Sequence, residues 1–167
     1  MARSNWRDTP LGQLIGLDYG VSLPESQRSG SGYSVFGSNG EVGRHSSYLI
    51  EGPGIVVGRK GSVGEVTWSD SAFWPIDTTY YVRAAEDCDL RWCFWMLQSL
   101  ELSRLDSSTG VPGLNRNDAY RMRIKKPPLP EQGAIAEILD TADEAIAKTA
   151  ALIAKLKAIK QASCTTS

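Results

Sequence analysis

The chain reads as α+β: a β-rich body with a few helices, followed by a long C-terminal amphipathic helix that pairs as a coiled coil. Three observations predict this. Short β-branched and aromatic runs recur between glycine-rich turns from Gly32 to Val82, the pattern of a curled, partly closed sheet. The run Lys125-Lys126-Pro127-Pro128-Leu129-Pro130-Glu131-Gln132 ends one element and opens a helix, because proline lacks a backbone donor and its fixed φ suits a first helical turn. From Ile135 to Ile159 apolar residues then keep a heptad spacing. The chain divides into a body over 1–127, a helix over 128–162 and a disordered tail over 163–167.

Residues 1–30 form an N-terminal arm in which Leu11-Gly12-Gln13-Leu14-Ile15 predicts a short strand. Tyr33-Ser34-Val35-Phe36 is the next strand, closed by the turn Gly37-Ser38-Asn39-Gly40, whose Asn-Gly pair tolerates positive φ. Gly52-Pro53-Gly54 turns into Ile55-Val56-Val57, a buried strand. The loop Gly58-Arg59-Lys60-Gly61-Ser62-Val63-Gly64 reverses the chain into Glu65-Val66-Thr67-Trp68. Phe73 to Val82 closes the series.

Residues 89–105 lack strand alternation; Leu90, Phe94, Leu97 and Leu105 sit at helical spacing, so a buried helix is expected. Ser107 to Gly113 reads as a loop, Leu114 to Tyr120 as a helical turn, and Met122-Arg123-Ile124 as a last strand.

In the final helix Ile135, Ala142, Thr149 and Leu156 occupy heptad position a, and Ile138, Ala145, Leu152 and Ile159 position d. Leu139, Ile146 and Ile153 widen the stripe at e. Such a seam needs a partner helix. Ile135, Ile138, Leu139, Ala142, Ile146, Leu152, Ile153, Leu156 and Ile159 are the candidate dimerisation residues. The competing reading packs the stripe back on the chain's own body.

Composition excludes several classes. The 167 residues carry a formal net charge of -1, yet residues 91–126 hold seven Lys or Arg against three Asp or Glu. That local excess suits a directed anionic partner or a merely solvated surface. Cys88, Cys93 and Cys164 lack zinc spacing, and the single histidine, His45, offers no metal site. No signal peptide or apolar run of about 18 residues is visible, so a cytoplasmic chain without membrane contact is expected. No phosphate loop of the Walker type, no dinucleotide fingerprint and no paired-carboxylate motif occurs. Pro127-Pro128 is not set in an amino-methyltransferase motif. No catalytic residue, metal or cofactor is assigned.

The ordered pieces Gly54-Ile55-Val56-Val57-Gly58-Arg59-Lys60-Gly61-Ser62-Val63-Gly64, Ile76-Asp77-Thr78-Thr79-Tyr80-Tyr81-Val82, Gly110-Val111-Pro112-Gly113-Leu114-Asn115 and the Pro-Pro-x-x-Glu-Gln element before the long helix carry a resemblance over roughly residues 6–160. The chain resembles the specificity subunit of type I restriction-modification systems. The resemblance implies a target-recognition domain that reads double-stranded DNA, with methyl transfer left to a separate modification subunit that binds S-adenosylmethionine. Full subunits of that family carry two recognition domains and two antiparallel spacer helices. This chain has one of each, so it looks like a half-subunit that homodimerises by pairing its helix as an antiparallel coiled coil, reads two inverted blocks across an unread gap, and engages modification and restriction subunits.

Phosphate contacts are expected from Arg59 and Lys60 on their glycine-flanked turn, with Ser62, Arg44 and the Arg121-Arg123-Lys125-Lys126 run beside them. Base edges need forked or amide groups, and Ser38, Asn39, Thr78, Thr79, Ser108, Thr109, Asn115 and Arg116 lie on predicted turns. Two rivals stand beside this. One is a coiled-coil interaction module, phage- or antitoxin-like, that occupies a methyltransferase subunit without reading DNA. The other is an enzyme built on Asp77, Thr78 and Arg59.

Overall fold

The computed structural model describes residues 5–105 and 113–164. Its strands are β1 (Arg7–Pro10), β2 (Ile15–Tyr19), β3 (Tyr33–Gly37), β4 (Gly40–His45), β5 (Gly54–Gly58), β6 (Val66–Ser69), β7 (Phe73–Pro75), β8 (Thr79–Ala84) and β9 (Arg123–Lys126). Its helices are α1 (Leu11–Leu14), α2 (Leu90–Ser99), α3 (Arg116–Arg121) and α4 (Leu129–Cys164). The mixed class with a long terminal helix is as the sequence predicts.

The strands sort into a four-stranded sheet in the order β2-β8-β5-β6, a three-stranded sheet β4-β3-β7, and a ribbon of β1 with β9. All pairings are antiparallel except β3 with β7. Strand β5 is buried along its whole length, because its two faces serve two cores. Ile55 and Val57 join the main core with Leu17, Tyr80, Trp92 and Leu97. Val56 faces the other way, onto Phe36 and Phe73. The unbroken apolar run Ile55-Val56-Val57 is the sequence signature of that double burial.

Helix α2 starts at an Asp89 cap, whose carboxylate accepts from the Trp92 amide at 2.7 Å. It lays Trp92, Cys93, Phe94, Met96 and Leu97 on the main core. Three expectations are corrected. Leu11–Leu14 is a helical turn with both leucines fully buried, not a strand. The N-terminal residues are no loose arm either, because β1 pairs with β9 from Arg7↔Lys126 to Pro10↔Arg123. The Phe73–Val82 run also splits, β7 joining one sheet and β8 the other.

The Pro-Pro-x-x-Glu-Gln element joins α4 to the body. Pro130 takes the second helical position, where a missing amide costs nothing. Gln132 is fully buried. Its carbonyl accepts from the Asp89 amide at 2.8 Å, and its amide donates to the Pro127 and Asp87 carbonyls at 2.9 and 3.2 Å. The Trp6 indole donates to Glu131 at 2.8 Å. About two turns further on, Asp140 accepts from Arg91 at 2.7 Å and Trp95 at 2.8 Å.

These contacts settle part of the seam. Ala136 is buried and Ile135 packs against the main core, so Ile135, expected in the seam, faces mainly its own body. From Thr141 to Gln161 every residue is exposed, so the stripe does not pack back on the body. Alanines such as Ala147, Ala154 and Ala158 share the opposite face with the charges, which makes that face less charged than expected. The helix also runs through residues 163 and 164, expected to lie in the tail; residues 165–167 lie outside the described residues. At 36 residues it is about 54 Å long. No helix among the described residues is long and apolar enough to cross a membrane.

Candidate nucleic-acid interface

Strand β8 has two ends, and they serve different purposes. Beyond Ala84 lie Asp87, Gln132 and the root of α4. Before Thr79, at the far end, loops from both sheets converge. The Ser38 hydroxyl donates to the Thr78 carbonyl at 2.6 Å, and the Arg59 and Lys60 amides donate to the same oxygen at 2.9 and 3.1 Å. The β3–β4 hairpin turn, the β5–β6 loop and the β7–β8 turn are thereby tied at one atom. Gly58 makes the approach feasible, since a β-carbon there would strike the Ser62 and Ser38 carbonyls. The Leu114 amide donates to the Arg59 carbonyl at 2.9 Å, and the Tyr80 hydroxyl donates to the Leu114 carbonyl at 3.0 Å. This brings the start of α3 into the same cluster.

The arginines are held in place. Arg59 donates from Nε (3.2 Å) and from Nη2 to the Asp77 carbonyl, and its guanidinium lies 5.1 Å from the Tyr19 ring centre. Arg116 lies 4.9 Å from the same ring and donates to the Leu17 carbonyl at 3.2 Å. Tyr19 is half exposed, and both cations lie over its ring. Burial, with Tyr19 beside it, pushes the Tyr80 phenol up to about 12, so it stays protonated and keeps donating to Leu114.

The charge bookkeeping of the linear sequence does not survive folding. Of the cations in residues 91–126, Arg91 pairs with Asp140, Arg104 with Glu101, Arg121 with Asp118, Arg123 and Lys125 with Asp8, and Lys126 with Asp87. Hence the Arg121-Arg123-Lys125-Lys126 run is largely neutralised, and its β9 members lie beside the α4 root. Arg59, Lys60 and Arg116 have no carboxylate at ion-pair distance among the described residues.

The predicted contact residues therefore separate. Ser38, Asn39, Arg59, Lys60, Ser62, Thr78, Asn115 and Arg116 share the loop end. Thr79 is corrected: it is fully buried and its hydroxyl donates to the Ile76 carbonyl at 2.7 Å. Arg44 is also corrected, because it lies at Ser34↔Arg44, away from the hairpin tip at Gly37↔Gly40. It pairs there with Glu41 at 3.1 Å and donates to the Gly32 carbonyl. Asn115 caps α3, its side-chain oxygen accepting from the Asn117 amide at 2.9 Å. Ser108 and Thr109 lie outside the described residues. Tyr19 was missed, since a lone tyrosine before Gly20 carries no motif. The supposed catalytic cluster has no basis in contact, because Arg59 meets the Asp77 backbone rather than its carboxylate.

A family model described as "Type I restriction modification DNA specificity domain" matches residues 4–158. Over 112 residues the chain is 28% identical to the type I restriction enzyme EcoprrI specificity subunit of Escherichia coli, covering 66% of this chain and 28% of that protein. Over 94 residues it is 28% identical to the C-terminal part of a protein named as a type I specificity subunit in Mycoplasma pneumoniae, covering 56% and 63%. The chain thus spans less than two thirds of the length of these relatives. In fold it is similar to the crystal structure of the S subunit of a type I restriction-modification system from M. genitalium. The TM-score is 0.77 at 24% identity, over 92% of this chain and 43% of that one. The HsdS subunit of Thermoanaerobacter tengcongensis is also similar, with a TM-score of 0.65 at 21% identity, over 86% and 38%.

Proposed function

The chain belongs to the type I restriction-modification DNA specificity family, and on that premise we propose that it is a non-catalytic DNA-reading half-subunit. It recognises double-stranded DNA with the loop end of its body and dimerises with a second copy through α4. The observation that carries this is the cluster of Arg59, Lys60 and Arg116. Among the described residues these cations have no carboxylate at ion-pair distance, and they gather at the end of β8 remote from the helix root, Arg59 and Lys60 on a glycine-flanked loop and Arg116 at the start of α3.

Arg59, Lys60 and Ser62 engage phosphates. Asn39, Asn115 and Arg116 supply the forked and amide groups that distinguish adenine and guanine in the major groove. A helix of about 54 Å holds two such heads more than one DNA turn of about 34 Å apart. An antiparallel pair relates the heads by a two-fold axis, so the target is two inverted blocks with an unread gap. The exposed surface of the helix pair and bodies positions a modification subunit, which would bring S-adenosylmethionine, and a restriction subunit. The setting is the cytoplasm.

The test is selection from random duplex DNA by the purified chain, alone and with its modification subunit, followed by sequencing. Two inverted blocks at constant spacing are expected, in at least one arm. Unenriched DNA in both arms overturns the reading and favours an interaction module that does not read sequence.

A further inference from the structure

The exposed seam of α4 is self-complementary in one register. In an antiparallel pair, a positions meet d positions of the other helix, and two residues lie at the same height when their numbers add to a constant. Pairing Ile135 with Ile159 of a second copy sets that constant. The remaining layers then follow as Ile138 with Leu156, Ala142 with Leu152, and Ala145 with Thr149, each occurring twice by symmetry. All eight seam positions are used. The flanking e residues fall two residues short of this constant, with Leu139 nearest Ile153 and Ile146 nearest its own copy, an axial offset of about 3 Å. A slip of one heptad either way leaves one end of the seam bare and unmatches the e residues.

The end of this seam meets a groove. Between α2 and the root of α4 lies an apolar hollow of about 320 Å³, lined by Trp6, Trp92, Trp95, Met96, Ile135 and Leu139. The distal seam is exposed: Ile146 is 67%, Leu152 57%, Leu156 56% and Ile159 53% accessible. An apolar row exposed over this length marks a surface that another surface covers.

We infer that this groove receives the distal turn of α4 from a second copy of the chain, with Ile159 seated beside Ile135 and Leu139, and that this contact sets the register of the dimer. The inference rests on the dimer reading above and adds its geometry. The two-fold axis passes at the height of Ala147, and the spacing of the two recognition heads is thereby set to one value.

Spin labels test the register in the full chain. Cys164 is replaced by serine, and Ala147→Cys or Ala154→Cys carries the nitroxide; Cys88 and Cys93 are buried. The 147 labels are expected about 20 Å apart, across two helix diameters, because they share the height of the axis. The 154 labels gain an axial offset of about 21 Å, hence about 30 Å overall. Equal distances at both sites, as for a parallel pair or a slip toward the C-terminus, overturn the register. So do values of about 23 and 37 Å, the slip toward the N-terminus. Absence of any coupling overturns the dimer reading itself. Ile159→Glu tests the groove by sedimentation equilibrium, with Ala158→Glu on the outer face as control. At least tenfold weaker association is expected for Ile159→Glu alone, and unchanged association would refute the seating of Ile159.

Discussion

Removing Gln132 should loosen the long helix from the body more than any exposed residue could. Its side chain is fully buried and makes three hydrogen bonds, one accepted from Asp89 and two donated to Pro127 and Asp87. Gln132→Leu keeps most of the volume but strands the Asp89 amide, at about 1–3 kcal/mol, and removes two donated bonds at about 0.5–1.5 kcal/mol each. Water can replace the donor to the exposed Asp87 segment more readily than to Pro127, so the net loss is about 3 kcal/mol. Gln132→Ala adds the cost of a small cavity, about 1 kcal/mol or more, for a total near 4 kcal/mol. With a urea slope of about 2 kcal/mol/M, the alanine variant should unfold at a midpoint about 2 M lower. Tryptophan fluorescence is the readout, since Trp92 and Trp95 sit on α2, where α4 docks. All variants are compared at one protein concentration, because association would raise apparent stability. A midpoint within about 0.5 M of the unaltered chain for both variants would refute the latch. A loss confined to alanine would reduce its role to filling space.

Three further outcomes follow from the loop end and the ion pairs. Arg59→Ala and Lys60→Ala should each weaken binding to the selected DNA and lower the steepness of its salt dependence by about one counterion; titrations at several salt concentrations would expose either residue as a bystander if the slope stays put. Tyr19→Ala frees both neighbouring arginines and should reduce DNA affinity about five- to thirtyfold, given about 0.5–1 kcal/mol for each exposed cation–π contact. Tyr19→Phe should stay within about twofold, and equal binding by the alanine variant counts against the clamp. Arg123 beside Asp8, and Lys126 beside Asp87, hold both carboxyls below the usual carboxylate range. A folded-state value below the unfolded one means stability present above about pH 4 and lost as pH falls through the folded values. Asp8→Asn with Asp87→Asn should flatten the urea midpoint between pH 4 and 2, by a small amount because both pairs are exposed; an unchanged slope would mean the pairs contribute nothing.

Local chemistry made much of this protein legible in its sequence. Proline removes donors whatever its surroundings, so the break before α4 could be read directly. Heptad spacing is a property of the helix itself, and the seam followed from it. The double burial of β5 showed as three consecutive apolar residues. Other features depend on partners distant in sequence. Leu11–Leu14 has too few residues to show a period, and only burial against the core made it a helical turn. Thr79 and Thr78 look equivalent on a turn, yet strand alternation at the start of β8 turned one inward. The basic stretch over 91–126 looked like an anion-binding surface until Asp8, Asp87 and Asp140 arrived from other elements to neutralise most of it. Tyr19 gained its place beside Arg59 and Arg116 only because β2 and β5 end where α3 begins. The sequence by itself determined the break before α4, the buried strand β5 and the apolar face of the long helix, because those follow from backbone sterics and periodicity. The tertiary structure alone decided which charges remain unpaired and where they gather, because Coulomb and hydrogen-bond energies depend on distances that the chain sets only when it folds.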